Sequence, residues 1–346
     1  MTVPRSLIVN PSDPGWYHCV SRCVRRAFLC GDGYAHRKEW VVDRLRLLVQ
    51  SFSVEVAAYA VMSNHLHVVL RLDPRAVEGW TDEAVAARWL TVYAPDHDAE
   101  GHPVAAPPEL IAARASDAAW VALRRRRLGD LSWFMKALKE PIARRANRED
   151  DVTGHFWEGR FRSTALLDEA AVIACMAYVD LNPIRARVAA TPEDSAHTSI
   201  QDRIHARQYH LASIGAAAQP PERARHLFSR LAPPLQPRHA EDGLWLWTFS
   251  RPGDERLRAL MSADAYLRLV DASGRIVRTG KRGHIDPQVT AVLDRLQLDA
   301  DAWLSTMLSG GQMRGTGLGR VTARAVEAKR RGTGWVANVC GLFAAA

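Results

Sequence analysis

The chain has 346 residues, of which 47% are hydrophobic and 24% are charged, and its formal net charge is +8. This length exceeds what one compact core usually needs, so we expect two domains, or one domain with large insertions. The composition excludes a globally disordered chain, and no apolar run is long enough to cross a membrane. The positive charge is compatible with a polyanionic partner but does not identify one.

Targeting and redox signals point to the cell interior. The N-terminal residues lack a charged start followed by a long apolar stretch and a cleavage site, so we expect a cytoplasmic protein. The five cysteines are odd in number and irregularly spaced, which argues against a disulfide framework and a paired CxxC zinc site. The glycines of residues 314–320 lack the Lys-Ser/Thr ending of a phosphate loop, so no nucleotide cofactor is expected.

Strand and helix patterns alternate at the start of the chain. Residues 16–24 are rich in aromatic and β-branched side chains, as in a strand. Residues 37–52 place apolar side chains at helical spacing. Residues 54–62 and 65–72 are strand-like runs, and the small polar pair between them, Ser63 and Asn64, predicts a hairpin turn.

Residues 73–130 interrupt this pattern and predict an inserted helical and loop segment. Within it, the four arginines at 124–127 are typical of an exposed helix face. Three core elements are predicted after the insertion: a helix over 131–148 despite Pro141, a strand over 160–167, and a helix over 168–182 ended by Pro183.

Without the insertion, the elements follow the order strand, helix, strand, strand, helix, strand. This order favours an α+β fold with a ferredoxin-like or RRM-like antiparallel sheet and helices on one face. We predict a first domain over 1–204, a Pro- and Ala-rich linker over 205–242, and an appended region over 243–346. The appended region is expected to be mostly helical, with helices near 262–270 and 287–298, a turn at 271–274, and a basic excess over 314–331 that suggests DNA binding.

Two histidines follow the predicted hairpin turn. Alternate side chains of a strand share one face, so His65 and His67 point the same way while Leu66 and Val68 point to the core. Neutral imidazoles can bind divalent metal ions, including Mn²⁺ or Mg²⁺ when oxygen ligands complete the shell. A histidine pair that faces solvent without a metal is the simpler explanation of this spacing taken alone.

A third ligand is expected from the helix over 168–182. Tyr178 and Asn182 are four residues apart, which puts them on one helical face. If this helix crosses the histidine face, Asn182 can offer its carbonyl oxygen to an ion, and Tyr178 points at whatever the ion holds. Glu158 is the next candidate for the third ligand.

Three sequence blocks, in this order, resemble a known family: "YAVMSNHLHVVL" at 59–70, "GHFWEGRFRSTALLDE" at 154–169 and "AYVDLNPIRARV" at 177–188. They are similar to the HUH-type single-tyrosine transposases, in the branch associated with repetitive extragenic palindromes (REP). The resemblance covers roughly residues 15–204 apart from the insertion, and it extends to the stretch at 266–283.

The resemblance implies a metal-dependent enzyme that cleaves and rejoins single-stranded DNA beside hairpins. His65, His67 and Asn182 would hold Mg²⁺ or Mn²⁺, and Tyr178 would attack the phosphodiester. The products would be a 5′-phosphotyrosine and a free 3′-hydroxyl. The expected partner is hairpin-containing single-stranded DNA, bound by a monomer or a dimer.

Cationic and aromatic side chains would bind the phosphates and bases of this strand. The candidates are Arg22, Arg25, Arg26, Trp157, Arg160 and Arg162. Two alternatives stay open from the residues alone. A nucleic-acid-binding regulator would keep the fold without turnover, and a metal-dependent hydrolase built on the histidine pair would need a strand-helix barrel with later His and Asp ligands.

Overall fold

The computed structural model describes residues 4–98, 103–215, 245–249, 257, 260–279, 293–308, 313 and 315–343. Several predicted segments lie partly outside these ranges: residues 99–102 of the insertion, 216–242 of the linker, 280–283 of the stretch that resembles the family, 287–292 of a C-terminal helix, and Arg314 of the basic segment. No helix in the described ranges is both long and apolar enough to span a membrane.

One sheet organises the molecule, with strands in the order β2–β3–β1–β4–β5. The strands are β1 Gly15–Arg22, β2 Val54–Val61, β3 His65–Leu72, β4 Arg162–Leu166 and β5 Gly317–Leu318. The first four pair in antiparallel fashion, and β5 lies parallel to β4. This is the strand order of a ferredoxin-like sheet with one strand added, so the predicted α+β class and antiparallel sheet are confirmed.

The main helices are α1 Arg5–Ile8, α2 His36–Ser51, α3 Asp82–Val92, α4 Pro108–Ala115, α5 Ala118–Leu128, α6 Leu131–Glu149, α7 Glu169–Asp180, α8 Asn182–Arg185, α9 Ser199–Gly215, α10 Ala263–Thr279, α11 Ala300–Leu308 and α12 Val321–Arg331. Most core elements predicted from the sequence therefore exist within a residue or two of the expected positions. Pro141 is accommodated inside α6.

Helices α2 and α6 cover one face of the sheet. Leu45 of α2 and Phe134 of α6 belong to the same buried cluster as Leu66 and Val68 of β3, all with at most 1% of their surface exposed. Burying apolar side chains from both layers supplies the main stabilisation of this half. The shared face predicted for His65 and His67 follows from this core, because alternate side chains of β3 must point to the other side of the sheet.

The second face is covered as well, by α7, which packs against β2 and β3. The prediction of helices on one face thus describes α2 and α6 but not α7. Every residue of α7 from Ala170 to Asp180 is buried, because α10 packs on its outer side and α11 packs on α10, with Tyr266 and Trp303 at 0% exposure. A helix that is apolar on all sides is expected to lie between two layers.

The end of α7 differs from the prediction. Pro183 does not end the helix that carries Tyr178; α7 stops at Asp180, and Pro183 stands in the first turn of the short helix α8. Proline fits there because the backbone N–H groups of a first turn have no helical partner. Leu181, between the two helices, keeps backbone angles in the right-handed α region.

The predicted turn at 271–274 is wrong, since α10 runs through these residues without interruption. A Cβ at Gly274 would lie 3.2 Å from Ile184 and 3.3 Å from Leu181. The glycine therefore provides a close approach between α10 and α8 instead of a turn.

The C-terminal region shares its core with the N-terminal part. One buried cluster runs from α7 through Tyr266 and Trp303 to Leu318 of β5. The predicted linker begins inside α9, which continues to Gly215. At the free edge of β2, Arg203 donates to the Ala57 carbonyl at 2.7 Å, and the Trp247 amide donates to Val56 at 2.8 Å. The division into separate domains over 1–204 and 243–346 remains a prediction. The shared core does not favour it.

The insertion is helical, as predicted, and is built from α3, α4 and α5. Thr81 and Asp117 cap the first and last of these helices by accepting hydrogen bonds from backbone amides. The insertion packs on α2 and α6. It therefore lies on the side of the sheet opposite α7.

Candidate active site

Three histidines meet on the face of the sheet that α7 covers. His65 and His67 alternate along β3, and His18 of β1 lies on the same face because of the antiparallel register. The His18 Nε2 and His67 Nδ1 atoms are 2.8 Å apart. The ring centroids of His65 and His67 are 4.9 Å apart. The predicted orientation of the pair is thus observed, and His18 is an addition that the sequence analysis missed.

Burial keeps these imidazoles neutral. It lowers the pKa of His18 to about 4, and burial together with the charges of Arg22 and Arg185 lowers that of His65 to about 4. The pKa of His67 is also lowered, first by burial and then by its histidine neighbours. A neutral imidazole is the form that binds a metal ion.

Hydrogen bonds to the Nδ1 atoms orient two of the rings. The Asn64 Oδ1 atom is 2.6 Å from His65 Nδ1, so this nitrogen carries the proton and Nε2 keeps a free electron pair. A proton on His67 Nδ1, donated to His18, would likewise leave His67 Nε2 as an acceptor. Such outer contacts fix the tautomer of metal-binding histidines.

Tyr178 of α7 lies above the histidine cluster. Its ring centroid is 6.2 Å from that of His67 and 6.4 Å from that of His18. Only 6% of the tyrosine is exposed. The predicted crossing of this helix over the histidine face is therefore present.

Arg185 connects the tyrosine to Asn182. Its guanidinium carbon is 4.0 Å from the Tyr178 ring centroid, and its Nη2 atom donates to Asn182 Oδ1 at 2.6 Å and to the Tyr178 carbonyl at 3.0 Å. This arginine is not among the site residues predicted from the sequence. Its spacing of three residues from Asn182 and seven from Tyr178 was the available signal.

Asn182 is buried, with 8% of its surface exposed. Its Oδ1 atom accepts the hydrogen bond from Arg185, and its Nδ2 atom is buried without a partner within the described part of the chain. An amide oxygen has two lone pairs, so binding Arg185 leaves one for a further ligand. Glu158, the other candidate, is exposed, and its backbone amide donates to the Arg22 carbonyl at 2.8 Å.

In the described ranges, no group of three or more His, Cys, Asp or Glu side chains is arranged to hold a metal ion. A metal at this site would therefore rely on His65 and His67 with an amide, water or substrate oxygen. The two neutral rings with oriented Nδ1 atoms fit such a group, whereas the orphaned Asn182 Nδ2 atom can only donate to an acceptor such as a substrate oxygen.

The predicted nucleic-acid-binding arginines of the first segment lie beside this cluster. Arg22 ends β1 and pairs in register with His65. Arg25 and Arg26 are exposed and take left-handed backbone angles, with φ of 53° and 55°. This conformation is uncommon for residues other than glycine, and Phe28 just beyond it has 67% of its surface exposed.

The second predicted segment is divided. Arg160 and Arg162 are exposed, as expected for phosphate contacts. Trp157 has 8% of its surface exposed, and its indole N–H donates to the Lys139 carbonyl at 3.0 Å. Its ring is packed into the core against Phe156, so a stacking role for Trp157 does not agree with the structure.

Arginines of the predicted basic tail are used inside the fold. Arg324 donates to the Phe343 carbonyl, Arg331 donates to Thr316, and Arg330 pairs with Glu327. The charge excess of this segment therefore does not by itself define a DNA-binding surface.

No family model and no curated protein matches this chain. Among solved structures, one described as a REP-associated tyrosine transposase bound to a REP hairpin is similar to it, with a TM-score of 0.34 and 14% identity. The match covers 59% of this chain and 86% of the other.

Proposed function

We propose that this protein cleaves and rejoins single-stranded DNA through a covalent tyrosine intermediate. The observation that carries the proposal is the placement of Tyr178 over the histidine face, 6.2 Å from His67 between ring centroids. A hydroxyl nucleophile beside two oriented neutral imidazoles is a combination suited to phosphoryl transfer. The excess of basic residues agrees with a nucleic-acid substrate.

A divalent ion, Mg²⁺ or Mn²⁺, bound by His65 and His67 with Asn182 as the third ligand would supply electrostatic polarisation of the phosphodiester. The protein's own groups would do the rest. His18 orients His67, and the Arg185 charge stabilises the negative charge that develops on the Tyr178 oxygen and on the phosphate.

The proposed step is a displacement at phosphorus. The Tyr178 oxygen forms a bond to the phosphorus atom and loses its proton, while the bond from phosphorus to the 3′-oxygen breaks. The leaving strand takes up a proton as a free 3′-hydroxyl, and the 5′-phosphate stays on Tyr178. The reverse attack by another 3′-hydroxyl joins a new strand and needs no further energy source.

A nucleic-acid-binding regulator without turnover is the second candidate. Two observations favour it: Tyr178 is only 6% exposed, and Asn182 is bound by Arg185. A substrate would have to uncover the tyrosine and break this hydrogen bond before reaction. The hydrolase alternative required a strand-helix barrel, whereas the described residues form an open, mostly antiparallel sheet.

Incubation of the protein with a labelled hairpin oligonucleotide and Mn²⁺, followed by denaturing electrophoresis, tests the proposal. We expect a covalent adduct with the wild-type protein and none with Tyr178→Phe, because the variant lacks only the attacking oxygen. Tyr34→Phe is the matched control, since Tyr34 is 36% exposed and lies outside the cluster. Adduct formation by Tyr178→Phe would contradict the assignment, and binding without any adduct would favour the regulator.

A further inference from the structure

The insertion carries an alternation of cations and indole rings that the active site does not use. Its members, in spatial order, are Arg114, Trp120, Arg124, Trp89, Arg127, Trp133 and Lys136. Successive cations and ring centroids are 4.0–5.8 Å apart. We call this series the arginine–tryptophan ladder.

Helical spacing builds the ladder. Trp120, Arg124 and Arg127 are separated by four and three residues along α5, so they share one face of that helix. Trp89 comes from α3, and Trp133 begins the contribution of α6. The four consecutive arginines predicted as a simple exposed face are therefore divided by the helix into different surfaces.

The other two arginines of the run show this division. Arg125 donates to the carbonyls of Val77 and Trp80, at 2.6 Å each, and so ties α5 to the first residues of the insertion. Arg126 is exposed and takes no part in the ladder. It therefore provides an internal control for the same helix.

The three arginines of the ladder are poorly compensated, although Lys136 at its end pairs with Glu140 at 4.0 Å and the Asp117 charge acts on Arg124. Within the described ranges, no carboxylate lies at ion-pair distance from Arg114, Arg124 or Arg127, and the buried Nε atom of Arg124 has no hydrogen-bond partner. The pKa of Arg124 is lowered by burial and then by the charges of Arg127 and Arg114. An anion bound across these guanidinium groups would relieve that repulsion.

We propose that the arginine–tryptophan ladder binds backbone phosphates of nucleic acid at a distance from the active site. Each of the three indoles already has two cations against it, so the rings orient guanidinium groups and are not free for base stacking. Guanidinium groups match phosphate oxygens in geometry and charge. Recognition would therefore depend on phosphate charge and not on base sequence.

A series of contacts leads from the ladder to the end of β1 beside the active site, although the insertion lies on the side of the sheet opposite α7. Lys136 and Lys139 are one turn apart on α6, and Lys139 lies 5.6 Å from the Trp157 ring centroid. The neighbouring residue Glu158 pairs through its backbone with Arg22, which stands opposite His65. The proposal rests on the nucleic-acid substrate proposed above, and it assigns the ladder to DNA that flanks the cleaved segment.

The test measures affinity for a fluorescent hairpin oligonucleotide with long flanks over a series of salt concentrations, without metal so that no cleavage occurs. The variant is Arg124→Gln with Arg127→Gln, and the control is Arg126→Gln with Arg148→Gln, which removes the same charge from exposed positions. We expect the ladder variant to reduce the slope of log affinity against log salt by about 1–2, at about 0.9 per lost duplex phosphate contact. The control should change it by much less.

Arg124→Lys with Arg127→Lys keeps the charge and should retain most of the slope, which separates lost phosphate contacts from a misfolded insertion. Equal slopes in the ladder and control variants would overturn the proposal. So would a ladder variant that binds the oligonucleotide normally but no longer binds poly-glutamate, because the surface would then select acidic protein.

In parallel with the salt series, adduct formation is measured for the wild-type protein and the ladder variant on a short oligonucleotide that ends close to the cleaved bond. If the ladder variant forms as much adduct as the wild-type protein and has the same salt slope as the control variant, the ladder proposal is refuted and the proposed reaction stands. A reduced slope in the ladder variant, with no adduct from the wild-type protein, refutes the reaction and supports the ladder.

Discussion

Each histidine of the candidate site is held neutral by its surroundings, and this has a consequence for metal binding. Above the pKa of about 4 set by burial of His65, no proton competes with the metal. We therefore expect the Mn²⁺ affinity to stay nearly constant from about pH 8 to about pH 5.5 and to fall only closer to pH 4. Histidines with the ordinary pKa of about 6.5 would begin to lose the metal below that pH.

Isothermal titration with Mn²⁺ at several pH values measures this dependence. His65→Ala and His67→Ala should remove most of the affinity, while Leu66→Val, which alters the opposite face of β3, should not. A tenfold loss of wild-type affinity between about pH 7 and about pH 6 would contradict the argument, because it is the loss expected of solvent-exposed imidazoles.

Periodicity alone predicted the shared face of His65 and His67, and it predicted one helical side for Tyr178 and Asn182, which lie on successive helices and both contact Arg185. It could not reveal His18, because the contact depends on the register between β1 and β3, and their interacting histidines are 49 positions apart. Trp157 was misjudged for a related reason. Its neighbours suggest an exposed basic edge, but its indole fills a space between β1 and α6 that only the tertiary structure defines.

Among the elements, α7 depends on a buried carboxylate that faces away from the active site. Asp180 accepts hydrogen bonds from Ser199 of α9 and from Tyr266 of α10, the latter at 2.5 Å. It is completely buried. One side chain thus fixes the helix that bears Tyr178 against two others.

Burial raises the pKa of Asp180 from 3.8 to about 6, so the folded protein holds this proton more tightly than the unfolded chain. The resulting stability is fully present below pH 3.8 and is lost as pH rises through about 6. We expect Asp180→Asn to remove this dependence. The difference in unfolding free energy between wild type and variant should change by up to about 3 kcal/mol over this window.

Urea unfolding at pH values across this window measures that difference. Asp271→Asn is the control, because Asp271 lies in an exposed ion pair with Arg275. A difference between wild type and Asp180→Asn that does not vary with pH would show that the carboxylate titrates normally.

The helices also show where local signals mislead. Pro183 and Gly274 both predict a break, yet one begins a helix and the other lies within one. The reason is the contact between α8 and α10, which needs a residue without a side chain at Gly274. Such a requirement is set by a neighbour more than 80 residues away and leaves no local pattern.

For the whole molecule, the continuous core between α7 and β5 predicts that the C-terminal region does not unfold independently. Leu318 is fully buried in that core. We expect Leu318→Ala to lower the free energy of unfolding by about 2–4 kcal/mol and to leave one cooperative transition. Val326→Ala, at a position 72% exposed on α12, should change it by less than about 0.5 kcal/mol.

Differential scanning calorimetry shows whether the protein unfolds in one cooperative transition or in two. Two transitions, of which only one responds to Leu318→Ala, would restore the predicted division into separate domains. The division was inferred from composition around residues 205–242, and composition does not report whether flanking segments share a core.

The closure of the sheet at both edges limits how this chain can associate with others. β5 covers β4 on one side, and Arg203 and Trp247 occupy carbonyls of β2 on the other. An exposed strand edge is a template on which a foreign strand can add, as in domain swapping and fibril growth. Within the described residues, the covered stretches of the two edges do not offer that template, which directs any association between copies of this chain away from them and toward helices and loops.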